Sequence, residues 1–223
     1  GRFFEPRPSE EFYDNFKDFH NVDNQIDDPL HQTKIKELKK ELRRQQLKYF
    51  DSGLMPEEMR NRMIKEKKTT VYAFVRDPKL YPLAKYLDYA DLALARNKAN
   101  VKTLTQGLKD KDPTIRYWSV VGLLLLEKEA KPAISALKKV LGDQDEIPPL
   151  AAWALYKAGD KAFAEKWMLE TITNNPDNKM LANVLDWMDK GSFSILARIP
   201  RGKLPKKGLL KDVVNRAEAR KKG

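Results

Sequence analysis

Residues 112–143 and 144–175 are two versions of one phrase, and this repetition restricts the fold more than any other feature. With Leu123 set over Leu155 the offset is 32 residues. Ile115 then falls on Ile147, Ser119 on Ala151, Val120 on Ala152 and Gly122 on Ala154. Each unit reads as a helix with one small-residue face, a turn, and a second amphipathic helix. A period of this length built from helix pairs marks an α-solenoid, because one pair cannot bury its apolar face without a neighbour. The expected fold is therefore mainly all-α.

The punctuation agrees with the periodicity. Asp112 suits an N-cap, and Pro113 sits at the first helical position, where a missing N–H costs nothing. Lys131-Pro132 starts a partner helix that Gly142 ends, and Gly159 stops the first helix of the second unit. A weaker unit precedes these, with Leu83, Leu87, Ala90 and Leu94 on one helix and Val101, Leu104 and Leu108 on the next. One further helix begins near Met180 and is ended by Gly191.

The front of the chain reads differently. Pro6, Pro8 and Pro29 interrupt it, and Glu11-Phe12-Tyr13 suggests a short strand. Asp27-Asp28 reads as a capping pair. A long charged helix, 33–50, carries the stripe Ile35, Leu38, Leu42 and Tyr49, with Gly53 suited to a left-handed C-cap. Pro56 opens a shorter helix over 57–65. The β-branched and aromatic run 69–75 reads as a strand when taken alone, and equally as an irregular bridge or a helix start before Asp77-Pro78. Three regions follow: 1–66, a closing segment with its charged helix; 67–200, the helical repeats; and 201–223, a basic tail.

Charge is concentrated at the end. Residues 201–223 hold nine bases against two acids, and so carry +7 of the formal +11. A last helix over 209–222 places Leu209, Leu210, Val213, Val214 and Ala217 on one side and bases elsewhere, and a frayed, solvated terminus is the foremost reading of that tail. Contact with a polyanion through Lys206, Lys207, Lys211, Arg216 and Arg220 is the second. A membrane-surface helix is the third, weakened by a short apolar face without Trp or Phe.

Catalytic chemistry is hard to place. The only histidines, His20 and His31, lie in the irregular front segment without a nucleophile motif. The chain has no Cys, which excludes thiolate nucleophiles and cysteine-ligated metals. Asp143-Gln144-Asp145-Glu146 alternates acids like a calcium loop. It lacks the Gly and closing Glu that such a loop needs, so its acids are read as caps for the next helix. No glycine pattern for phosphate is present. The recurring aromatics read first as core, while Trp118, Trp153 and Tyr156 could instead line a concave groove. No apolar run is long enough to span a bilayer.

The front segment carries a resemblance. RPSEEFYDNFKDFHNVDNQIDDPLHQTKIKELKKELRRQQLKY resembles the C-terminal end of formylglycine-dependent sulfatases of the alkaline-phosphatase-like type. Glu10, Glu11, Phe12, Tyr13, Asp14, Asn24, Asp27, Asp28 and Pro29 carry the pattern. FDSGLMPEEMRNR is similar to the segment that follows in a subgroup of bacterial sulfatases, and DKDPTIRYWSVVGL to a unit of the HEAT-like repeats appended there. The order of these pieces, spanning 2–158, matters more than any one of them.

The resemblance implies a HEAT-like solenoid behind a catalytic domain that hydrolyses sulfuric esters. It also implies a periplasmic or extracellular location. The family's nucleophile motif, Cys/Ser-x-Pro-x-Arg, is absent from this chain, and its calcium-binding acids and active-site His and Lys lie upstream of the closing segment. Calcium and formylglycine would therefore belong to an upstream domain, and this chain is expected to be inactive alone, with no cofactor, catalytic or metal residue of its own. With Gly1 in place of an initiator Met, we expect a piece of a longer protein. Expected partners are that upstream domain and a sulfated glycan. Nucleic acid would suit the charge equally but is not the expected partner. The alternative is a free-standing helical-repeat module that binds a protein or a polyanion.

Overall fold

A computed structural model describes residues 8, 10–144 and 146–222. Pro6 and Asp145, named above, lie outside them. The described residues form an all-α, helical-repeat fold without a strand. Its α-helices are α1 (Gln32–Tyr49), α2 (Glu57–Glu66), α3 (Val71–Arg76), α4 (Leu83–Leu94), α5 (Val101–Gly107) and α6 (Pro113–Leu125). They continue with α7 (Ile134–Lys139), α8 (Ile147–Ala158), α9 (Lys161–Asn174), α10 (Lys179–Trp187), α11 (Phe193–Leu196) and α12 (Leu209–Lys222). Short 3-10 turns link several of them.

The spine is α4–α6–α8, each helix packed on the next, with α5 packed on α6, and α7 and α9 on α8. The 32-residue register holds in three dimensions. Ile115, Ser119, Val120, Gly122 and Leu123 are buried, as are Ile147, Ala151, Ala152, Ala154 and Leu155. Small residues are required where helices approach closely. A Cβ on Gly122 would lie 2.8 Å from Leu104 Cδ1 and 3.0 Å from the Ala93 backbone. One on Gly107 would collide with Ser119 Oγ. The α8 counterpart of Gly122 is Ala154, so the second interface admits the methyl group that the first excludes.

Local chemistry explains the helix ends. Asp112 caps α6 by accepting from Thr114 N at 2.9 Å, with Pro113 at the first position. Gly159 adopts φ 112° and closes α8. Arg116 clamps the turns around the first clear repeat, donating to Asp110 O at 2.8 Å and Asp143 Oδ2 at 2.6 Å. At the offset position the second unit has Pro148, so this clamp is not repeated.

Several expectations need correction. Residues 69–75 are not a strand: Thr70 accepts from Ala73 N at 3.2 Å and caps α3, burying Phe74 and Val75. Capping and burial override β propensity there. Glu11-Phe12-Tyr13 is a loop rather than a strand. Phe12 N donates to Asn24 Oδ1 at 2.9 Å, and Gln25 N returns to Phe12 O at 2.8 Å. The left-handed cap of α1 is Phe50, at φ 56°, not Gly53. Pro132 lies inside a 3-10 turn over Glu127–Ala133, and α7 begins only at Ile134.

One core runs from Leu54 to Ala217, across both region boundaries expected from the sequence. The tail is not frayed. Leu210, Val213, Val214 and Ala217 of α12 are buried, and α12 packs on α10 and α11.

The core also holds tyrosines whose phenols are hard to ionise. Tyr86 Oη donates to Asp112 Oδ2 at 2.8 Å, and Tyr81 Oη donates to Asp51 O at 2.9 Å. Burial, with Asp112 charged alongside, pushes the Tyr86 phenol well above its ordinary range. Burial and the Asp51 charge do the same at Tyr81. Burial, then the nearby Glu146, raises Tyr117. An acid whose folded pKa exceeds its unfolded one contributes stability below the unfolded value, about 10 for tyrosine, and loses it as pH rises towards the folded value. Stability should therefore fall above about pH 10. In an alkaline titration followed by phenolate absorbance, these three of the eight tyrosines should ionise only as the helical signal is lost.

Candidate functional site

No described arrangement pairs a nucleophile with a base. His20 stands edge-on to Phe19, with ring centroids 5.3 Å apart. His31 lies against Phe12 at 5.2 Å, at the start of α1. Among the described residues no three His, Asp or Glu side chains gather as a metal site. The acidic turn is structural, but not in the way expected. Asp143 serves Arg116, and Glu146 makes no side-chain cap at the start of α8.

The sequence-selected aromatics separate. Trp118 is structural: its Nε1 donates to Leu54 O at 2.7 Å, fastening the loop before α2 to α6, and its ring meets Tyr117 edge-on at 5.5 Å. Trp153 and Tyr156 come together on α8 at an open cleft of about 350 Å³, whose other sides come from the 3-10 turn at Glu127, the start of α9 and the end of α10. Trp187 joins them. Its ring centroid is 6.3 Å from that of Trp153, at 33° between planes, and it is 54% exposed.

Cations surround this shelf. Lys161 Nζ lies 5.2 Å from the centre of the Tyr156 ring, within cation–π range. Lys157 pairs with Glu127 at 2.8 Å, while Lys128 is exposed and makes no ion pair with a described residue. Trp153 Nε1 is buried and finds no hydrogen-bond acceptor among the described residues. Sequence reasoning missed Lys128 and Lys161, and it read Trp187 with the other recurring aromatics as core, which its exposure corrects. The available signal was the spacing of Trp153 and Trp187, 34 residues apart and close to the repeat length.

The two indole N–H groups give a paired prediction. Trp118→Phe strips the donor from a buried turn and should cost about 1–3 kcal/mol. Trp153→Phe loses no hydrogen bond and should cost far less. Denaturant melts of the two variants test the contrast.

The tail bases also divide. Arg216 holds Asp186 through both guanidinium branches, at 3.2 and 3.0 Å, and Arg220 reaches the same carboxylate at 3.4 Å. Both are thereby engaged in fixing α12 to α10. Lys206 and Lys207 are exposed before α12, and Lys211 is half-buried on it. The five do not converge on one site with the aromatic cleft.

A second surface lies at the front. Helix α1 is 18 residues long yet buries only Ile35. Leu38, Leu42 and Tyr49 are 49%, 60% and 66% exposed. Arg43 ties the helix to α4 through Asp88, Asp91 and Ala84 O, and Lys39 pairs with Glu10 at 2.6 Å. A groove of about 520 Å³ separates α1 from α4, with Leu42, Leu87 and Leu94 along it. Phe16, Phe19 and Leu30 are exposed in the same front segment.

No helix of the described residues is long and apolar enough to cross a membrane. No family model matches the chain, and neither a curated protein nor a solved structure matches it.

Proposed function

We propose that this chain is a non-catalytic, HEAT-like accessory region of a sulfatase-like protein, docked on an upstream catalytic domain through α1 and the front loop. The observation that carries the reading is α1 itself. Helices of this length owe most of their stability in water to the apolar face they bury. This one buries a single residue and leaves an apolar stripe uncovered. A second protein surface against Leu38, Leu42 and Tyr49 would supply the missing burial. The segment resembling a sulfatase C-terminus is the same segment that presents this stripe, so the occupant is the domain directly preceding it. Calcium, formylglycine and sulfate-ester hydrolysis belong to that domain, and the solenoid supports it or holds its substrate. The location is then periplasmic or extracellular.

The resemblance residues have work of their own in this reading. Asn24 closes the front loop, Asp28 caps the turn Pro29–His31 by accepting from Leu30 N at 2.9 Å, and Asp14 accepts from Phe16 N at 3.1 Å. They shape the loop that presents α1.

Hydrogen exchange tests the docking. In a protein that includes the upstream region, α1 amides should exchange more slowly than in residues 1–223 alone, and Leu38→Asp with Leu42→Asp should abolish the difference. In the isolated chain the same pair should change stability by no more than about 0.5 kcal/mol per site, as exposed positions do. Equal α1 exchange in both proteins would refute the docking.

A further inference from the structure

The geometry points to the cleft between α8, α9 and α10 as a binding site for an anionic oligosaccharide, a site that works independently of the docking at α1. Three features of the cleft carry this assignment. The first is the aromatic shelf. Trp153 and Trp187 stand 6.3 Å apart with their planes only 33° from parallel, and Trp187 shows more than half its surface to water. An aromatic face is electron-rich and attracts polarised C–H groups as well as cations. One face of a pyranose ring presents a patch of such C–H groups, so a sugar covers a flat indole well. Water gains nothing comparable there.

The second feature is the charge around the shelf. Lys128 and Lys161 rim it without carboxylate partners among the described residues, and Lys161 is held beside the Tyr156 ring. The single carboxylate named at this rim, Glu127, is already matched by Lys157 at 2.8 Å. Two ammonium groups are therefore left for an anionic substituent on a sugar whose ring rests on the indoles. The α9 N-terminus begins at Lys161, and its backbone dipole adds to the same positive field.

The third is size and openness. At about 350 Å³ the cleft is near the lower end of small-molecule sites, enough for one or two sugar units. It is open at the surface, so a longer chain could continue past it. A single-stranded nucleic acid also combines stacking faces with negative charge. Its bases would demand a run of platforms along a basic track. Here the platforms are confined to one spot, and Arg216 and Arg220 of the tail are engaged with Asp186, the residue before Trp187.

The test is a titration of intrinsic tryptophan fluorescence in residues 1–223 at low salt. The probes are a heparin hexasaccharide, a hyaluronan hexasaccharide, a neutral cello-hexaose and an oligo-dT strand. The two acidic saccharides distinguish sulfate from carboxylate as the anion, and binding of either one supports the site. We expect Trp187→Ala, and separately Lys128→Ala with Lys161→Ala, to weaken that binding about tenfold each. All three positions are exposed, so the variants should fold, and circular dichroism verifies this. Lys206→Ala with Lys207→Ala should leave the cleft affinity unchanged. The assignment is overturned by an absence of binding, by cello-hexaose binding as tightly as the acidic sugars, by tighter binding of oligo-dT, or by affinity that only the Lys206/Lys207 pair controls. None of these outcomes alters α1 exchange, so the two proposals fail separately.

Discussion

Asp112→Ala should cost about 2–4 kcal/mol, one of the largest effects of any polar substitution in this protein. The carboxylate has two tasks. Oδ1 accepts from Thr114 N at 2.9 Å and caps α6, while Oδ2 accepts from the Tyr86 hydroxyl at 2.8 Å. Losing a cap costs about 0.5–2 kcal/mol, and leaving a buried hydroxyl unpaired costs about 1–3 more. Tyr86 is fully buried between Tyr81 and the helix pair, so water cannot replace the lost partner. A double-mutant cycle separates the two tasks. In a Tyr86→Phe background, Asp112→Ala should cost only the cap, so the two changes should not add. Asp112→Asn retains an acceptor for one bond and should fall between alanine and the natural residue. Urea melts of the four proteins give the coupling directly. Additive costs would mean that the Tyr86–Asp112 bond contributes nothing.

Leu210→Ala should cost about 2–3 kcal/mol, near the bottom of the range for core truncations because a terminal helix can detach. A frayed tail would tolerate the same change within about 0.5 kcal/mol. The prediction rests on the face that α12 covers. Leu210, Val213 and Val214 lie against α10 and α11, whose Leu181, Val184, Leu185 and Ile195 are fully buried. A solenoid needs a terminal element with a polar outer side to shield its last apolar face. Helix α12 has that form, with Asp212, Asn215 and Glu218 exposed. Removing residues 209–223 should therefore bare α10 and cause aggregation as well as a lower melting midpoint. Arg216→Ala with Arg220→Ala, which breaks surface pairs to the half-buried Asp186, should cost about 1 kcal/mol or less.

The repeat was legible because its signals are local and mutually consistent. Asp112-Pro113 announces a helix start, Gly159 a stop, and the offset aligns positions that are all buried. The run 69–75 was ambiguous because its residues favour strands, while one hydroxyl, Thr70 Oγ1, and the burial of Phe74 decide for the helix start. The last helix, 209–222, was legible from its apolar face, but its docking was misread as fraying because charge dominates the tail's composition. Its apolar face is four residues wide, and only the presence of α10 opposite makes that face a core. The cleft was half legible. Trp153 and Tyr156 share a helix, and their spacing shows that they share a face. Trp187, Lys128 and Lys161 come from three other elements, and no local pattern predicts where the solenoid's curvature will bring them. Trp118 was named beside Trp153 and Tyr156 as a recurring aromatic, and its bond to Leu54 O follows the core reading rather than the groove one. Gln32, which donates to Ile26 O at 2.9 Å and Asp28 O at 3.1 Å, likewise ties the front loop to α1 through contacts no pattern reports.

These assignments describe a helical-repeat scaffold, for which we propose a catalytic domain upstream. Its motif residues cap, clamp and pack, its front helix presents an uncovered apolar stripe, and its cleft offers aromatic faces and cations without a reacting group. The most direct test is to read the coding frame ahead of Gly1. The account predicts that the frame stays open and encodes a domain carrying Cys/Ser-x-Pro-x-Arg upstream of this segment. A frame that initiates immediately before Gly1, with no such domain preceding it, would contradict the account.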